Sequence, residues 1–199
     1  VRERFAKALG SYREHAVVQQ EMALVLAEMI CAATSGCRLE RVLEVGAGTG
    51  ALTAALLDRC RVETYVANDL VEESHRYIAV EALRHRPVHL AFLAGDIESI
   101  EVLPDGLDLV ASNATVQWLS DLEGFFRKMS SCLKPGGILA FSTFSPRNMH
   151  EIASIEHAGL SYPGLADIEA LAGSCFELLA SKEEQKRIAF DSPGEVLRH

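Results

Sequence analysis

A chain of 199 residues, 49% hydrophobic and 24% charged, can bury one full core and fits a single domain. Its 19 lysines and arginines against 28 aspartates and glutamates leave a net charge of −9, so no global basic field recruits nucleic acid or an anionic membrane. The longest apolar stretch, Met22 to Ala33, is broken by Glu28 and too short for a bilayer span, and no cleavable signal is visible; a cytoplasmic location is expected and, as a separate expectation, a monomer.

In the first forty residues Val18, Met22, Val25, Leu26, Met29 and Ile30 recur at three- and four-residue steps, which predicts helix outside the body of the fold. Residues 42–50, V-L-E-V-G-A-G-T-G, then read as the end of a strand, Arg41–Val45, breaking into three alternating glycines. Gly46, Gly48 and Gly50 lack the Cβ atoms that would hold the main chain away from a ligand. A helix over Gly50–Arg59 offers its free first-turn N–H groups to the same loop. Further strands are expected at Glu63–Asn68, Val88–Leu93, Leu107–Ser112 and Gly137–Thr143, with helices at Glu72–Arg84 and Leu122–Leu133. Lys134-Pro135-Gly136-Gly137 reads as the turn between the last of these helices and the fifth strand. Beyond it, Met149–Gly159 and Leu165–Ala172 look helical. Phe176–Ala180 and Arg187–Phe190 look like strand around a charged bend at Ser181–Lys186, and Ser192–Arg198 like a helix start.

Strand and helix in alternation predict an α/β fold, a mostly parallel Rossmann-like sheet with helices on both faces. Right-handed crossovers bring every strand's carboxyl end to one edge, where a ligand crevice forms. Asp69 ends the second strand 21 positions after Gly48, where an acid reaches a ribose diol, although a helix N-cap is the simpler alternative. Gly46-x-Gly48-x-x-Ala51 satisfies the dinucleotide fingerprint, so a nicotinamide cofactor stays open at this point. The five cysteines are odd in number and contain no C-x-x-C pair, which suggests reduced thiols, Cys31 and Cys132 serving as small buried hydrophobes. No histidine pair has ligand spacing, so no metal is implied.

The extended pattern E-x-G-x-G-x-G, from Glu44 to Gly50, resembles motif I of the class I S-adenosylmethionine-dependent methyltransferases. Leu93-Ala94-Gly95-Asp96-Ile97 is similar to the third-strand exit of that class. Ser112-Asn113-Ala114-Thr115-Val116-Gln117-Trp118 resembles the segment after strand four in the malonyl-acyl-carrier-protein O-methyltransferases of biotin synthesis. Arg4-Phe5-x-x-Ala8-x-x-Ser11-Tyr12-x-x-x-Ala16-x-x-Gln19 looks like that family's opening helix; Phe141-Ser142-Thr143-Phe144 and Phe190–Arg198 agree as well.

The resemblance implies one domain over 1–199. Residues 1–40 form a helical lid, 41–145 the cofactor-binding core and 146–199 a C-terminal part, with the family's last antiparallel strand expected beyond His199. It implies methyl transfer from S-adenosylmethionine to the free carboxylate of a malonyl thioester on acyl carrier protein or coenzyme A, leaving S-adenosylhomocysteine. Cofactor contacts would come from the loop residues Gly46, Ala47, Gly48 and Gly50. Glu44 would serve the methionine ammonium, directly or through water, and Asp69 and Leu70 the ribose. Asp96 would accept from the adenine amino group, Ile97 would pack on the ring, and Asn113 would lie under the methionine portion. Tyr12, Gln117 and Trp118 are the implied catalytic residues; Tyr12, Phe144, Arg187 and Arg198 would meet the substrate. The malonyl carboxylate is ionised at neutral pH and needs no general base. An acidic carrier protein meeting a chain of charge −9 requires local basic clusters: Arg84, His85 and Arg86; Arg147; Lys182, Lys186 and Arg187. Another O- or C-methyltransferase and a non-catalytic cofactor-binding module are the rival readings.

Overall fold

The computed structural model describes residues 16–85, 89–148 and 162–188. In chain order these hold α1 (Val17–Ala33), β1 (Arg38–Val45), α2 (Ala51–Arg59), β2 (Arg61–Asp69), α3 (His75–Arg84), β3 (His89–Ala94), β4 (Leu107–Asn113), α4 (Leu122–Cys132), β5 (Leu133–Ser142) and α5 (Leu165–Ala172). Short 3-10 turns occupy Ser35–Cys37, Glu72–Ser74 and Val116–Trp118.

The five strands form one sheet in the order β3-β2-β1-β4-β5, and every neighbouring pair is parallel. β1 is central, with Leu43 opposite Val66 on one side and Val110 on the other. Residues of β1 feed two cores. Leu39 and Val42 join Ala23, Ala27 and Ile30 of α1 and Leu52 and Leu56 of α2 on one face. Leu43 and Val45 join Phe125, Phe126 and Met129 of α4 and Ile168 of α5 on the other. Helices therefore cover both faces, as a buried parallel sheet requires. The strand order reverses direction at β1 and β4, which opens the crevice beyond their carboxyl ends.

Boundaries differ from expectation for local reasons. β1 begins three residues early, at Arg38, because the Asp108 carboxylate accepts from the backbone N–H groups of Glu40 (2.8 Å) and Arg41 (2.7 Å). The Lys134–Gly137 turn lies inside β5: the register steps from Leu107 opposite Leu133 to Leu109 opposite Ile138, so a bulge absorbs these residues. The helix expected over Glu72–Arg84 divides into a 3-10 turn and α3. No strand forms over 176–188, where Phe176 turns its ring toward Phe126, 6.5 Å between centroids, while Leu178 and Leu179 stay exposed; residues 189 and 190 of the second expected strand lie outside the described residues. The segments Met149–Gly159 and Ser192–Arg198 lie outside the described residues.

The cysteines also depart from expectation. Cys31 and Cys37 are joined as a disulfide, Cα atoms 5.2 Å apart, because the 35–37 turn folds the chain back onto the end of α1. Cys60, Cys132 and Cys175 are free thiols. Among the described residues, no helix is long and apolar enough to cross a membrane.

Candidate active site

The glycine loop leaves β1 and is tied at once to β2: the N–H groups of Gly46 and Ala47 both donate to the Asn68 carbonyl at 2.9 Å. Gly46 has φ +71°, and a Cβ there would stand 2.7 Å from Thr115 Cβ, so the position admits only glycine. Gly48, at φ +53°, differs: a Cβ would meet nothing within 4 Å. Its backbone therefore faces open ground in front of α2, whose N-cap is Gly50.

Asp69, at the end of β2, holds this loop in place. Its Oδ2 accepts from Gly48 N–H at 2.7 Å and its Oδ1 from Val71 N–H at 2.8 Å. Burial raises its pKa, and the two backbone donors offset part of that rise. Each carboxylate oxygen has a second lone pair left for a ligand.

Glu44 stands elsewhere than on the open side of the loop. It is 1% exposed, and its Oε2 accepts from Thr53 Oγ1 (2.5 Å) and Tyr65 OH (2.6 Å) beneath the glycines. Desolvation pushes its pKa up to about 7 against the lowering effect of those two donors. Direct contact with a ligand ammonium is thus not what the carboxylate offers; it organises α2 and β2 under the loop.

The exit of β3 is held from three directions. Asn68 Nδ2 donates to the carbonyls of Leu93 (2.9 Å) and Gly95 (3.0 Å). Asp96 is exposed, its Oδ1 accepting only from Glu98 N–H among the described residues. Lys128, on α4, donates to the carbonyls of Ile97 (2.7 Å), Glu98 (3.1 Å) and Ile100 (2.6 Å). Ile97 is 4% exposed and belongs to the core with Leu43 and Val45.

After β4 the chain turns through Ala114, whose φ of +50° is uncommon for a residue other than glycine and is typical of constrained functional loops. Asn113 bridges three elements, donating from Nδ2 to the Gln19 carbonyl of α1 (3.0 Å) and accepting at Oδ1 from Ser142 of β5 (2.6 Å). Thr115 Oγ1 lies 3.3 Å from the Gly46 carbonyl, so the loops after β1 and β4 touch at the reversal of strand order. Gln117 donates to the Ala114 carbonyl (2.7 Å) and accepts from Thr143 Oγ1 (3.2 Å). Trp118 is 44% exposed and so outside the core. Phe144 packs edge-on against Tyr162, with 6.1 Å between ring centroids.

Arg187 is exposed, with no carboxylate partner among the described residues, and Leu70 is half-buried. Tyr12 and Arg198 lie outside the described residues.

Residues 43–141 match the family described as Methyltransferase domain. Over its whole length the chain is 44% identical to a malonyl-[acyl-carrier protein] O-methyltransferase of Prosthecochloris aestuarii, of which it spans 74%. The chain belongs to the malonyl-[acyl-carrier protein] O-methyltransferase family. It is an S-adenosylmethionine-dependent methyltransferase. Solved structures resemble the methyltransferase in fold. One was determined in complex with the Haloferax volcanii Trm112 methyltransferase activator: TM-score 0.69, 19% identity, 88% of this chain and 75% of that one covered. Another is Haemonchus contortus phosphoethanolamine N-methyltransferase 2 in complex with S-adenosyl-L-methionine: TM-score 0.61, 17% identity, 75% and 36% covered.

The methyltransferase's own residues fit that cofactor. Gly48 leaves open space on the loop, and Asp69 and Asp96 follow adjacent strands along one edge. Among the described residues, Gln19 Oε1 is buried without a hydrogen-bond partner, on the residue whose carbonyl Asn113 holds. A buried acceptor left unpaired is costly, and a ligand ammonium would satisfy it. Gln19, Thr53, Tyr65, Asn68 and Lys128 were not legible as site residues, because each acts through a contact between elements distant in sequence.

Proposed function

We propose that this methyltransferase esterifies the free carboxylate of a malonyl thioester carried on acyl carrier protein. The observation that supports this reading is the contact of Thr115 with the glycine loop, directly ahead of the turn that carries Gln117 and Trp118. The cofactor supplies an electrophilic methyl group on a cationic sulfur. Everything else falls to binding and orientation, since an ionised carboxylate needs no base. Aligning the reacting groups can contribute roughly 7–11 kcal/mol.

Asp69 takes the ribose diol with the lone pairs that Gly48 and Val71 leave free, with Leu70 beside it. Asp96 accepts from the adenine amino group. Gln19 Oε1, with Asn113 holding α1 against β4, receives the methionine ammonium. Trp118 and Phe144 flank the acyl group, Gln117 orders the loop between them, and Tyr12 holds the second carboxylate oxygen, with Arg198 or Arg187 as the cationic anchor. The enzyme acts as a cytoplasmic monomer, which cell fractionation and light scattering check.

Incubation with labelled methyl donor and malonyl-carrier thioester should give a base-labile labelled ester. No ester from carrier or coenzyme A thioester, in protein that binds S-adenosylhomocysteine by calorimetry, sinks the assignment. Gln19→Ala should weaken that binding about tenfold, on the order of one lost hydrogen bond to a charged group.

A further inference from the structure

Three cysteine sulfurs meet at the end of the sheet opposite the glycine loop. Cys31 lies in the last turns of α1, Cys37 closes the 3-10 turn before β1, and Cys60 joins α2 to β2. Their sulfur atoms all lie within 4.8 Å of one another. Cys60 is 5% exposed while Cys31 and Cys37 are half-buried, so the cluster has one inner and two outer sulfurs. Cys37 is held at φ +48° directly after Gly36 at +70°, a conformation that residues other than glycine seldom adopt unless their surroundings demand it. That turn aims Cys37 back across six residues at Cys31.

Such a grouping exceeds what a disulfide uses, since a third sulfur stands beside the pair. A Zn–S bond of about 2.3 Å sets two thiolate sulfurs about 3.8 Å apart at the tetrahedral angle, which lies inside the observed span. An all-sulfur donor set selects soft ions over magnesium or calcium. We propose that, once Cys31 and Cys37 are reduced, the three thiolates bind one soft d10 divalent cation of the zinc class, with solvent water as fourth ligand.

The chemistry balances without any group taken from the active site. An external phosphine reduces the disulfide by two electrons and leaves as its oxide, water supplying the oxygen and the two thiol protons. Binding then forms three sulfur–metal bonds and releases the three thiol protons. The ion ties the end of α1 to the starts of β1 and β2. Because α1 also carries Gln19, held by Asn113 at the opposite edge, the ion fastens the same helix at its other end.

The phosphine-reduced full chain, kept anaerobic, is titrated with Cd2+ while thiolate-to-cadmium charge-transfer absorbance is followed, and with Zn2+ against a chromophoric chelator. One ion per chain is expected, with a raised thermal midpoint. Cys60→Ser and, separately, Cys37→Ser should weaken binding by more than the roughly 10- to 100-fold that loss of an outer-sphere partner costs. The Cys132→Ser/Cys175→Ser double variant should bind as the wild type does. Circular dichroism establishes that Cys60→Ser folds; half-buried Cys37 supplies the second variant should it not. Binding unchanged in Cys37→Ser, or no binding to the reduced wild type, overturns the proposal and leaves the disulfide as the cluster's only chemistry.

Discussion

Glu44 makes stability depend on pH in a direction that the residue alone fixes. Its carboxyl, ordinarily near 4.5, is held at about 7 in the folded chain. Between those values the unfolded chain has lost the proton that the folded chain keeps, so stability falls as pH rises through the window. At about 1.4 kcal/mol for each pH unit, the difference amounts to about 3 kcal/mol. Asp69 shifts the same way and adds to the slope. Glu44→Gln keeps an acceptor for Thr53 and Tyr65 but has nothing to titrate. Urea midpoints from pH 4.5 to 8 should therefore fall less in the variant than in the wild type; parallel curves would contradict the assignment. The two loop glycines separate stability from binding. Gly48→Ala carries only the left-handed backbone cost, about 1–2 kcal/mol, whereas Gly46→Ala adds a collision with Thr115. Gly46→Ala should show the larger loss of thermal midpoint. Gly48→Ala, whose new methyl would enter the space proposed for the cofactor, should fold and yet lose S-adenosylhomocysteine affinity in calorimetry. The glycines were legible because their spacing is local. The inward direction of Glu44 was not, since Thr53 and Tyr65 lie 9 and 21 residues further along.

At the scale of elements, α4 acts on the proposed cofactor edge through the turn after β3. The Lys128 ammonium has three donors, and three backbone carbonyls of the turn after β3 take them. Glu98, in that same turn, accepts from the N–H groups of Ser120 (3.0 Å) and Asp121 (2.8 Å) ahead of α4, so turn and helix hold each other. Lys128→Met keeps the length of the side chain and removes every donor. Hydrogen bonds to a charged group are worth about 1.5–3 kcal/mol, so stability should fall by that order. KM for S-adenosylmethionine should rise more than kcat falls, because the turn that carries Asp96 loosens while the reacting groups stay in place. A fall in kcat at constant KM would instead place Lys128 in the methyl-transfer step. Element order and type were readable from periodicity, and each of the five core strands overlaps the segment expected for it. The start of β5 was not: Pro135 and two glycines signal a turn locally, and only pairing with β4 draws them into a bulged strand.

Over the whole molecule, charge decides how a carrier protein can approach. The chain is −9, an acidic carrier is repelled at long range, and the basic residues named in the sequence are largely occupied. Lys182 pairs with Glu184 (2.6 Å), Arg147 with Glu183 (3.3 Å) and Lys186 with Glu21, which leaves Arg187 as the open cation of that stretch among the described residues. The composition revealed the repulsion, but only the folded chain shows which cations are already spent. Glu183→Gln combined with Glu184→Gln frees Arg147 and Lys182 and takes the net charge from −9 to −7. Exposed pairs contribute about 0–1 kcal/mol, so the fold should be unaffected. If the carrier docks against this stretch, kcat/KM for malonyl-carrier thioester should rise at low salt, more than for malonyl-coenzyme A. Near 0.15 M salt, where screening acts within about 8 Å, the advantage should shrink. Equal gains on both thioesters would move the docking surface elsewhere on the enzyme.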